Sequence, residues 1–170
     1  LELLDSIEKL DLSWNQLLWV GSGVFRGLSR LRQLYLHNRL SVVQQGSLDL
    51  LPGLEVLNLS NNNISWIDGE ALAPLYSLAI LALEGNNLHH LKFKTFLSLH
   101  TTATHITLSA NPWNCDCELH RVFSKILYVR HLHVRIRIRN RIRFIFAIVY
   151  VVPVLHKLGI CLGVTLQHST

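Results

Sequence analysis

The sequence predicts an α/β solenoid in which stacked turns of chain share one curved parallel sheet on a concave side, with irregular or short helical segments on the convex side. Three observations lead there. A pattern of leucine or an equivalent, two residues, leucine, one residue, leucine, two residues and asparagine recurs along the chain. Its copies begin at residues 7, 31, 54 and 78, steps of 24, 23 and 24. The composition, 49% hydrophobic and 16% charged over 170 residues, supplies a packed core and excludes a disordered polar chain.

The first copy holds Ile7, Leu10, Leu12, Asn15 and Leu17, and continues through Val20, Phe25 and Leu28. The alternation at Leu10 and Leu12 has the period of a strand, so these leucines point inward while residues between them point outward. Asparagine after the strand fits a loop in which its carboxamide satisfies backbone groups that no ladder reaches. The second copy has Leu31, Leu34 and Leu36 in place, but Asn38 arrives one residue early and Arg39 stands where asparagine is expected. A one-residue deletion accounts for the 23-residue step and predicts a strained turn in which Asn38 or water does the asparagine's work imperfectly. The third copy runs Leu54, Leu57, Leu59, Asn62, Ile64 and the fourth Leu78, Leu81, Leu83, Asn86, Leu88, with a terminal half-copy at Ile106, Leu108 and Asn111. One repeat cannot cover its own apolar face, so neighbours must stack and both ends need caps. Leu1 opens inside the pattern, and the sequence reads as a fragment.

Charge is local. The formal net charge is +5, yet six arginines lie between residues 130 and 143, and the chain up to Val134 is close to neutral. No recognisable nucleic-acid module or aromatic interleaving accompanies them, so no nucleic-acid partner is expected. From Arg135 the character changes to alternating arginine and isoleucine, then to an apolar run. Residues 144–166 carry 14 Leu, Ile, Phe and Val, which favour insertion by about 4 to 8 kcal/mol; a central lysine returns about 3 kcal/mol of that. Membrane contact is left open through this stretch or through other parts of the parent protein, and the tail is read as foreign to the repeat domain.

The segment Asn111-Pro112-Trp113-Asn114-Cys115-Asp116-Cys117-Glu118-Leu119, following the last half-copy, resembles the opening of a C-terminal cysteine-rich flank. With the repeats before it, the chain resembles the extracellular leucine-rich-repeat family, as in Slit-like or trophoblast-glycoprotein-like proteins, over roughly residues 1–134. The resemblance implies leucine-rich repeats at 1–110, a partial, truncated cysteine-rich cap at 111–134, and a basic then apolar tail of uncertain status at 135–170. It implies that Trp113 covers the last repeat and that a helix beginning near Leu119 turns Val122, Phe123, Ile126 and Leu127 to the core. In that family the first two cysteines pair with two later ones. This chain offers Cys115, Cys117 and Cys161, an odd number, as disulfide candidates.

The family resemblance also implies function: noncovalent protein recognition outside the cell or at its surface, reached through the secretory pathway, by a receptor or secreted binding protein. The alternative is a structural matrix or proteoglycan-like component. The outward strand positions are the candidate contacts: Glu8, Lys9, Asp11, Ser13 and Trp14, then Arg32, Gln33, Tyr35 and His37, then Glu55, Asn58 and Ser60, then Glu84. Trp14, Arg32 and Tyr35 stand out because interface anchors are enriched in those residue types. Ala79, Ile80 and Ala82 make the fourth copy's outward face apolar. No nucleophile, base and orienting group converge in the pattern, and His89-His90 and His131-x-His133 supply too few metal ligands, so neither enzyme activity nor a cofactor is expected. Asn58-Leu59-Ser60 and Asn63-Ile64-Ser65 match the N-glycosylation acceptor pattern.

Overall fold

The computed structural model describes residues 6–97, 99, 104–114 and 122. Five three-residue strands form the main sheet: β1 (Lys9–Asp11), β2 (Gln33–Tyr35), β4 (Val56–Asn58), β6 (Ile80–Ala82) and β7 (His105–Thr107). Two short strands, β3 (Val42–Val43) and β5 (Trp66–Ile67), pair on the other side of the core, and one short helix, α1 (Phe93–Leu97), lies in the fourth turn. The main sheet has the order β1-β2-β4-β6-β7, every pair parallel. Each strand is therefore one turn of a solenoid, and the half-copy at 106–111 contributes a fifth strand.

Register explains the repeat. Leu10, Leu34, Leu57, Leu81 and Ile106 are mutual partners across the sheet. The last four are fully buried, as are Leu36, Leu59, Leu83 and Leu108 one step further along. Behind them, Phe25, Leu28, Leu48, Leu51, Leu72, Leu75 and Phe96 fill the space between the two sheets and the turns. Leu10 and Leu12, in the terminal strand of the described sheet, are only half-buried, since one flank lacks a neighbouring described strand.

The asparagines form a ladder up the solenoid. Asn62 accepts from the Asn38 and Leu40 amides at 2.9 and 3.0 Å and donates to the Leu36 and Leu59 carbonyls at 2.6 and 2.9 Å. Asn86 accepts from Ile64 at 3.0 Å and donates to Leu59 and Leu83; Asn111 repeats this with Leu88, Leu83 and Leu108. Each carboxamide thus ties its own turn to the one before, which is how buried backbone groups outside a sheet are satisfied.

The irregular second turn keeps its link. Asn38 donates to Leu12 O at 2.9 Å and accepts from Leu17 N at a long 3.4 Å. The missing residue is identifiable. In the other four turns the residue before the asparagine is left-handed: Trp14 at φ 63°, Asn61 at 53°, Gly85 at 67° and Ala110 at 53°. In the second turn His37 precedes Asn38 directly and has no such conformation. The deletion removes the left-handed residue, so Asn38 reaches the ladder from a shorter arc and holds it more loosely. Glycine adopts this conformation without strain, and a Cβ at Gly85 would meet Asn61 Oδ1 at 2.5 Å, so the exposed Asn61 side chain would have to move aside.

The second sheet is pinned by one carboxylate. Asp68 accepts from Gln45 N at 3.0 Å and from Trp66 Nε1 at 2.8 Å, and these bonds hold its carboxyl below the usual carboxylate range. Of the expected cap, Trp113 packs against the core and donates from Nε1 to Leu108 O at 3.1 Å, while Val122 is buried among the same residues. Cys115, Cys117, Cys161, the rest of the cap helix and the tail from 135 lie outside the described residues. No helix among the described residues is long and apolar enough to cross a membrane.

Candidate functional site

Parallel pairing in register lines the outward side chains into rows across the main sheet. One row is Glu8, Arg32, Glu55 and Ala79; the next is Lys9, Gln33, Val56, Ile80 and His105; the next is Asp11, Tyr35, Asn58, Ala82 and Thr107. Beyond the strand ends come Ser13, His37, Ser60, Glu84 and Ser109, and then the left-handed residues at the rim. The face is therefore a grid whose columns are repeats.

The six side chains singled out in the sequence fall at three places on this grid. Arg32 and Glu55 form an ion pair at the entry edge, with both side chains about half exposed. Tyr35 sits centrally: its hydroxyl bonds Gln33 Oε1 at 3.1 Å, and Lys9 Nζ lies 5.1 Å from its ring centroid. At the far rim Trp14 and His37 meet edge to face, with ring centroids 5.9 Å apart. Glu84, in the same row as His37, accepts from the Thr107 hydroxyl. Asp11 caps Ser13 N at 2.9 Å; its bonds to Ser13 lower its pKa, helped by His37 and Lys9 nearby.

Two placements differ from expectation. Ser60 is buried rather than outward and available, because its hydroxyl turns to His37 Nε2 at 3.0 Å beneath the rim. Val56, His105 and Thr107 belong to the face although the pattern alone did not single them out. Val56 shares the Ile80 row and was legible from register; the other two lie in the fifth strand, which the half-copy concealed.

The face has two chemical halves. Most of its ionic and aromatic groups lie in the first three columns, and the strand of the fourth presents Ala79, Ile80 and Ala82, joined by neighbouring Val56, with Glu84 beyond its end. Ile80 is 41% exposed, whereas Ala82 is buried. Trp14 is 85% exposed, the most open of the large apolar side chains among the described residues. The Arg32–Glu55 pair is screened by solvent, so a double-mutant cycle of Arg32→Ala and Glu55→Ala should give a coupling below about 1 kcal/mol in the unfolding free energy. A larger coupling would make it a structural brace rather than an adaptable contact.

Among the described residues no three His, Cys, Asp or Glu side chains group as metal ligands. His89 bonds Asn87 O and His90 bonds Asn114, both away from the main sheet.

Comparison with known proteins agrees with this geometry. The family profile described as leucine rich repeat matches residues 37–88. Mouse (Mus musculus) nephrocan is 30% identical over 137 residues, covering 68% of this chain and 27% of nephrocan. Toll-like receptor 6 of Bos taurus is also 30% identical over 137 residues, covering 67% of this chain and 17% of the receptor. One chain of the solved Toll–Spatzle complex from Drosophila superposes with a TM-score of 0.59 at 20% identity, over 64% of this chain and 14% of that chain. The chain spans about a third or less of the length of the curated relatives it matches.

Proposed function

The chain is a leucine-rich-repeat solenoid, and from that premise we propose that the concave face of its five-stranded sheet binds a protein ligand noncovalently, outside the cell or at its surface. The observation that carries the reading is the grid itself. It is one continuous surface on which an exposed tryptophan, a tyrosine, an arginine and an exposed isoleucine stand on a rigid ladder. Pre-set side chains on regular strands lose little freedom on binding, and aromatic and arginine side chains dominate interface energetics. A ligand fits by placing an apolar side chain on Val56 and Ile80 and polar groups over Arg32, Glu55 and Tyr35.

Support from comparison is of the same kind. Leucine-rich-repeat proteins mediate protein–protein contacts, and the superposed chain belongs to a complex of Toll with Spatzle. One relative is named a receptor. On this reading the chain is a binder without catalytic turnover.

The test is a binding screen of the full chain against a panel of extracellular ectodomains, repeated with Ile80→Arg and with Tyr76→Arg. Ile80 is on the sheet face, and Tyr76 is exposed in a turn outside it. The expected result is a saturable ectodomain ligand whose affinity falls about tenfold or more with Ile80→Arg and changes less than about twofold with Tyr76→Arg. Capture of collagen or glycosaminoglycan alone would favour a matrix role instead.

A further inference from the structure

The two glycosylation acceptor patterns lie five residues apart, yet the fold gives them opposite surroundings. Asn58 stands in the middle of the main sheet, between Tyr35 and Ala82. Its Oδ1 accepts from Ser60 N at 3.0 Å, and the Ser60 hydroxyl, which the acceptor pattern requires, is buried against His37. Asn63 is two residues past the rim, in the loop between the sheet and β5. Its amide is fixed to Leu40 O at 3.0 Å, and its exposed carboxamide bonds to none of the other described residues. Ser65 is exposed as well, with only a long 3.4 Å contact from its hydroxyl to Ser41 O. By position in the turn, the neighbours of Asn63 in the adjoining turns are Arg39 and Asn87, which are polar.

We propose that Asn63 carries an N-linked glycan and that Asn58 does not. The inference rests on the secretory part of the functional reading. In the step, Asn63 Nδ2 attacks the anomeric carbon of an oligosaccharide borne on a lipid diphosphate. The C–N bond forms, the C–O bond to the diphosphate breaks, the lipid diphosphate leaves with the electron pair, and one carboxamide proton passes to a base of the transferase. No electrons are gained or lost overall.

The geometry separates the sites by consequence as well as by access. A glycan on Asn58 would rise from the centre of the grid and cover Tyr35 and the apolar half of the face. On Asn63 it projects from the loop, beyond the rim, and leaves all the rows open. Asn63 and Ser65 also stay accessible after the turns have stacked, whereas the Ser60 hydroxyl closes off once His37 is in place. Two glycans so near in sequence would crowd one another, which favours single occupancy.

The experiment expresses the full chain in animal cells behind a cleavable secretion signal, with a terminal tag that has its own acceptor sequence. Enzymatic removal of N-glycans in heavy-oxygen water converts each glycosylated asparagine to a labelled aspartate, located by peptide mass. Label at Asn63 and none at Asn58 is expected. Asn63→Gln and Ser65→Ala should each abolish the label, and Asn58→Gln should leave it unchanged. Label at Asn58, or a glycosylated tag on secreted protein with Asn63 bare, would overturn the proposal while leaving the recognition reading standing. Retention of the chain in the cell with its tag glycosylated would instead count against the secretory reading, and the state of Asn63 in that material would still decide this one.

Discussion

Asn62→Ala lowers the unfolding free energy by about 2 to 4 kcal/mol, whereas Asn15→Ala lowers it by less than about 1 kcal/mol. The two residues occupy the same place in the sequence pattern, so the contrast comes from the fold. Asn62 makes four bonds of 3.0 Å or less to the backbone of two turns; its loss strands the Asn38 and Leu40 amides and the Leu36 carbonyl and leaves the Leu59 carbonyl to Asn86 alone. Asn15 is exposed and donates only within its own turn, to Leu12 O at 2.9 Å and Ser13 O at 3.3 Å. Water replaces those two bonds readily. Urea titration of the two variants and the parent measures the difference directly, and equal losses would mean that the carboxamides act only within their own turns.

Trp14→Gly separates binding from stability. Trp14 holds φ at 63° with its ring 85% exposed, so the left-handed backbone costs about 1 to 2 kcal/mol with little apolar burial to offset it. Glycine adopts that conformation without strain but gives back about 0.5 to 1 kcal/mol through its freer unfolded chain. The expected net is a stability unchanged or raised by up to about 1 kcal/mol. Affinity for the ligand should fall about tenfold or more, the effect of removing an aromatic anchor. Thermal melts and titrations on the same preparation show both. A variant that binds as the parent does would remove Trp14 from the interface and leave its strain without a functional account.

Much of the architecture was legible because the physical requirement repeats. The inward leucines, the direction of each strand and the role of Asn62, Asn86 and Asn111 all follow from a pattern that must satisfy the same packing in every turn. Even the second turn's irregularity was readable as a missing residue. Which residue was missing was not: the left-handed conformation is a backbone property shared by Trp14, Asn61, Gly85 and Ala110, four side chains with nothing chemical in common. The pairing of β3 with β5 also escaped the pattern, since two-residue strands carry no periodicity.

The sheet face was legible as a set of positions but not as a surface. Alternation placed Arg32, Tyr35, Glu55 and Glu84 outward correctly. It did not show that Arg32 and Glu55 pair, that Trp14 leans on His37, or that Ser60 turns beneath the rim, because those depend on side chains one turn away. Val56 needed the neighbouring strand's register to be recognised beside Ile80.

The most direct measurement is site-specific photocrosslinking of the full chain to its ectodomain ligand. A benzophenone side chain replaces Gln33, on β2 within the grid, or Tyr76, in an exposed turn outside it. Ligand binding at the concave face predicts efficient crosslinks from position 33 that an excess of unlabelled chain abolishes, and none from position 76. Crosslinks from position 76 with none from position 33 would place the ligand elsewhere on the solenoid and contradict the account.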